Sequence, residues 1–92
     1  MFFEIDNTTF GVKFTRVGNR TFAELMEVKK SGLLTHTNIV GEVGLFYLDT
    51  YVWSTGRKLA LTNLIEEMSK KMQLTKENRA EIWTRYFQEY KK

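Results

Sequence analysis

The sequence predicts an α+β fold: a small antiparallel sheet of three to four strands followed by two C-terminal helices packed on one of its faces. Three observations carry this. The first half alternates apolar and polar residues around a Gly18-Asn19 pair; the second half switches to helical periodicity; the change falls at Asp49. The 92 residues make a single domain, 1–92, with 1–48 mainly β and 49–92 mainly α. An apolar fraction of 42% with thirteen aromatics is enough for a core in a chain of this size.

Phe2 to Ile5 is a short strand, ended by Asp6-Asn7-Thr8, whose side chains favour turns. From Thr9 to Val17, Phe10, Val12 and Phe14 share one face, while Gly11, Lys13 and Thr15 share the other. Gly18-Asn19 suits a two-residue hairpin, which sets Val17 opposite Arg20, Phe14 opposite Ala23, Lys13 opposite Glu24 and Val12 opposite Leu25. A helix over Phe22 to Val28 competes, because Ala-Glu-Leu-Met-Glu is helix-prone. The matched faces favour the strand. After the charged loop Lys29-Lys30-Ser31-Gly32, Leu33 to Thr37 is extended. A further strand lies within Asn38 to Leu48, with Val43, Leu45 and Tyr47 on one face. Gly41 and Gly44 mark a bulge or a close backbone approach.

Asp49 is placed as a helix N-cap; Gly56 either continues the helix at a cost of about 1 kcal/mol or marks a joint between a short helix and a long one, and the joint is preferred. Leu61, Leu64, Ile65, Met68 and Met72 form one apolar stripe, with Glu66–Lys70 and Glu67–Lys71 pairs on the solvent side. Thr75 caps the last helix, and Ile82, Trp83, Tyr86, Phe87 and Tyr90 give it a broad aromatic face. Arg57 sits one turn before Leu61, at the rim of the stripe. It is expected to pair with Asp49 across Gly56, so that Asp49, Gly56 and Arg57 are structural residues.

Composition narrows the chemistry. Without cysteine there are no disulfides, thiolate zinc sites or cysteine nucleophiles. His36 is the single histidine, flanked by threonines, and lacks the ligand spacing of a metal site; Gly41-Glu42-Val43-Gly44 lacks the lysine and following helix of a phosphate loop. No catalytic residue, cofactor or metal is therefore expected, and the chain is read as a binding protein, not an enzyme. The N-terminus has no basic region before its short apolar run, and Val43 to Leu48 is too short to span a bilayer, so a cytoplasmic protein with no membrane partner is expected.

The formal charge of +3 divides unevenly: five basic and six acidic residues through Gly56 (−1), then nine basic and five acidic (+4). Direct nucleic-acid binding by the basic helices is accordingly one reading. Sequence pairing of Lys70, Lys71 and Arg85 with glutamates opposes it, because a phosphate track leaves its cations unopposed. The aromatics give the other reading. Tyr51, Trp53, Arg57, Lys58, Arg79, Tyr86 and Tyr90 are the candidate partner-binding residues, since Trp, Tyr and Arg dominate interface hot spots. A homodimer built on exposed aromatics is a third.

Asp49-Thr50-Tyr51, Gly56-Arg57-Lys58-Leu59-Ala60-Leu61 and Asn78-Arg79 with Ile82-Trp83 and Tyr86 together resemble a pattern in small bacteriophage and prophage proteins. Those proteins carry an Asp-x-aromatic step, a Gly-Arg-Lys-x-Ala-Leu helix start and a late Arg-x-x-x-Trp helix. The resemblance covers about the last half of the chain, and Leu48 stands where the pattern has a proline. It implies a phage-encoded inhibitor, similar in size and character to anti-CRISPR proteins. Such a protein would act in the host cytoplasm by occluding a host protein or ribonucleoprotein complex, a CRISPR effector in first place.

Overall fold

A computed structural model of the chain describes residues 1–44 and 53–90, with residues 53 and 54 described in backbone only. Four strands, β1 (Phe2–Ile5), β2 (Thr8–Val17), β3 (Arg20–Val28) and β4 (Leu34–Gly44), precede two helices, α1 (Trp53–Lys71) and α2 (Lys76–Glu89). The strands pair in chain order as an antiparallel meander. The Phe22 to Val28 segment is thus a strand, as its register requires.

The turns follow from their residues. Asp6 and Asn7 both adopt positive φ between the paired Ile5 and Thr8, the pattern of a type I′ hairpin. At the second hairpin Gly18 alone has positive φ, and Val17 faces Arg20. Val12–Leu25, Lys13–Glu24 and Phe14–Ala23 pair as the alternation predicts.

β4 departs from expectation. It is one strand from Leu34, and its bulge lies at Thr37–Ile39, not at the glycines. Glu24 faces Val40 while Met26 faces His36, so the register jumps by two and Leu25 loses its Cα partner. Asn38 takes positive φ there, which Asn tolerates better than most residues. The Thr37 hydroxyl repairs the ladder: it donates to the Leu25 carbonyl (2.7 Å) and accepts from the Ile39 amide (3.2 Å). Because side chains alternate with period two, a two-residue jump leaves Ile39 and Gly41 still facing the core.

Both helices cover the face that carries Phe3, Ile5, Phe10, Val12, Ala23, Leu25 and Ile39, α1 against β3 and β4 and α2 against β1. The α1 stripe is buried at Leu61, Leu64, Ile65 and Met68, with Ala60 added; Met72, read as its last member, lies one residue past the helix and is only partly buried. Gly56 is not a joint. It lies inside α1 and is buried. Gly56, Ala60 and Leu64 recur every four residues on the sheet-facing side, and continuing the helix keeps that side and the stripe in one phase. A helix-interior glycine costs about 1 kcal/mol, less than burying a single leucine returns. Lys70 reaches Glu67 at i,i+3 rather than Glu66. Thr75 caps α2 in a reciprocal box with Asn78. The expected Asp49 cap, and Leu45 and Tyr47, lie outside the described residues. No described helix is long and apolar enough to cross a membrane.

Candidate protein-binding surface

The aromatic face of α2 is laid down by its spacing. Ile82 and Tyr86, one turn apart, point into the core; Trp83, Phe87 and Tyr90 flank them at the rim. Phe14 of β2 completes the packing, 5.9 Å from the Tyr86 ring and 5.6 Å from the Tyr90 ring, both edge-on. Trp83 and Phe87 stack at 5.8 Å, and Tyr86 and Tyr90 lie 5.0 Å apart. Such pairs contribute about 0.5–1.5 kcal/mol each beyond area burial.

The first turns of α1 bring two cations onto this ladder. The Arg57 guanidinium carbon stands 4.5 Å from the Tyr90 ring centroid, and the Lys58 ammonium 5.7 Å from that of Phe87. The result is a surface on which aromatic rings and cations meet across the α1–α2 seam, with Phe87 48% exposed and Lys58 also exposed. Burial pushes the Tyr90 phenol above its usual pKa. The Glu89 carboxylate raises it further, while the Arg57 charge opposes both.

Of the residues singled out in sequence, Arg57, Lys58 and Tyr90 meet at this seam. Tyr86 does not reach the surface: at 1% exposure it supports the seam from beneath. Its hydroxyl has no hydrogen-bond partner among the described residues. The reason is geometric, since Tyr86 shares the core-facing side of α2 with Ile82. Arg79 stands apart. Eleven residues before Tyr90, about 16 Å along the helix axis, it donates to the Leu74 carbonyl (3.3 Å) at the other end of α2. Tyr51, Asp49 and the Trp53 side chain lie outside the described residues, and so does the Asp49–Arg57 pair. Phe87 was missing from the sequence-derived set. Its i,i+4 spacing from Trp83 and its place beside core-facing Tyr86 were the available signal.

No family model, curated protein or solved structure matches the chain.

Proposed function

We propose that the chain is a non-catalytic binding protein that inhibits a host complex by docking its α1–α2 seam on it, occluding the surface the complex needs. The observation that carries this reading is the pairing of Lys58 with a half-exposed Phe87 beside Arg57 over Tyr90. Tyr and Arg are enriched among interface hot spots, and exposed Phe among interface residues. The resemblance to small phage proteins supports the class of partner, a host defence ribonucleoprotein with a CRISPR effector first. An origin in phage is part of the same proposal.

The alternative, direct nucleic-acid binding, draws less support from the cations. Arg20 is joined to Glu42, Lys29 to Glu27, Lys70 to Glu67 and Arg85 to Glu81. Charges neutralised within the chain release fewer counterions from a phosphate backbone, so retention on DNA or RNA is expected to be weak even at low salt.

The test is co-purification with host CRISPR effectors and assay of their target binding and cleavage, comparing wild type with a Lys58→Glu/Phe87→Glu double variant. Both positions are exposed, so the variant is expected to melt like wild type and to lose inhibition. If no host complex is retained, or if the variant inhibits as well as wild type, the seam is not the inhibitory surface.

A further inference from the structure

The helices cover one face of the sheet, and among the described residues nothing covers the other. That open face is not an ordinary solvated one. One edge of the Phe2 ring lies against Gly11, where a Cβ would meet it at 2.9 Å, and Phe2 remains 58% exposed. Met26 is buried beside it although it is not part of the core, and Leu34 stands at the margin, 47% exposed. With Met1, Val12 and Lys13, these residues line an open recess of about 70 Å³. Val40, also exposed, lies further along the same face.

We infer that this face is a homodimerisation surface, on which a second copy of the chain packs sheet to sheet. Lys13 and Glu24 are register partners; on β4 Glu24 faces Val40, and its carboxylate reaches diagonally to the His36 ring nitrogen at 2.5 Å, which gives a row of mixed sign. Arg20 and Glu42 cancel beside it. Glu24 and Glu42 are engaged by His36 and Arg20, whereas Lys13 and Glu4 form no ion pair among the described residues, so the face offers neither a polyanion nor a strongly basic partner a surface of one sign. A mixed-sign row is, however, what an isologous contact uses. A two-fold axis between β2 and β3, parallel to the strands, sets Lys13 of each copy opposite Glu24 of the other. The same axis sets Gly11, with the Phe2 ring against it, opposite Met26. A thioether against an aromatic ring is a favourable contact, and the recess beside it takes an apolar side-chain tip from the other copy.

Area agrees. Three strands of nine to eleven residues and the four-residue β1, at about 3.3 Å per residue and about 4.8 Å apart, present roughly 500 Å². Two such faces bury on the order of 1,000 Å², the threshold for a specific interface. The aligned packing of two twisted sheets would leave the α1–α2 seams on opposite outer sides of the dimer, so this contact is independent of the proposed host-binding surface.

Sedimentation equilibrium across a concentration series tests it. Wild type is expected to sediment at twice the chain mass at micromolar concentration. Phe2→Lys/Leu34→Lys is expected to raise the dissociation constant about 100-fold while keeping the wild-type circular dichroism spectrum. Lys58→Glu/Phe87→Glu should sediment as wild type. A wild-type monomer at every concentration overturns the inference, as does a dimer that survives Phe2→Lys/Leu34→Lys. Should that variant fail to fold, dilution of wild type decides by NMR. Concentration-dependent shifts at Phe2 and Met26 support the face, and shifts confined to Phe87 overturn it.

Discussion

Gly41 of β4 lies directly against the backbone of Ala60 in α1. A Cβ at Gly41 would stand 2.2 Å from the Ala60 carbonyl oxygen and 2.1 Å from the Leu64 amide nitrogen. No rotamer relieves a collision with helix backbone, so Gly41→Ala must push α1 off the sheet that it covers. The expected loss is on the order of 3–5 kcal/mol, measured by urea denaturation. Gly18→Ala gives the contrast: space is open around it, and only its positive φ is strained, so a loss of about 1–2 kcal/mol is expected. Comparable losses at the two sites would show that α1 does not sit where the close approach puts it.

Thr37 holds the bulge of β4 together with one hydroxyl, which serves both the Leu25 carbonyl and the Ile39 amide. Thr37→Val keeps shape and β propensity but removes both bonds, leaving two backbone groups without that partner near the core. About 2 kcal/mol of stability should be lost. Thr37→Ser, which keeps the hydroxyl, should recover most of it. Amide hydrogen exchange at Ile39 is the local readout: it should speed up in the valine variant and not in the serine one.

These two residues also show where the sequence was informative and where it was not. The hairpin register followed from alternation and Gly18-Asn19 because both are local properties. The glycines in β4 announced a special backbone position, and at Gly41 the close approach is real. The bulge lay elsewhere, at Thr37–Ile39, because a side chain replacing a ladder bond leaves no periodic trace. Gly56 misled for a related reason: propensity marks it as a break, yet burial against the sheet outweighs about 1 kcal/mol of helix cost. At the α1–α2 seam, residue type alone singles out Arg57, Lys58 and Tyr90, but which rings lie outside depends on the rotation of α2. That rotation buries Tyr86 and exposes Phe87, and packing fixes it.

Arg57 and Tyr90 are far apart in sequence and meet only if α1 and α2 dock as described, so their coupling reports on the seam. In a double-mutant cycle with Arg57→Ala and Tyr90→Leu, the interaction is expected to be about 0.5–1 kcal/mol at this partly exposed site. Arg57→Lys should retain only part of it, because a compact ammonium stacks less well than a planar guanidinium. Additive effects would remove the contact from the account of the seam.

Tyr90 also gives the fold a dependence on alkaline pH. Burial and the Glu89 carboxylate raise its folded-state pKa above the ordinary value of 10.0, against the opposing Arg57 charge. The neutral phenol is therefore favoured more strongly in the folded chain than in the unfolded one. Between the unfolded and folded pKa values the native state binds more protons, so stability falls as pH rises through that window. The contribution is complete below pH 10.0 and is lost progressively above it. Lysines titrate in the same range, so wild type alone is not diagnostic. Tyr90→Phe removes the phenol and nothing else that ionises. Urea midpoints between pH 9 and 11 should therefore fall less steeply in Tyr90→Phe than in wild type. Arg57→Ala, which removes the opposing charge and raises the phenol further, should make the decline steeper or extend it to higher pH. Parallel curves for wild type and Tyr90→Phe would mean that the phenol titrates alike in both states and that its burial at the seam has no energetic weight.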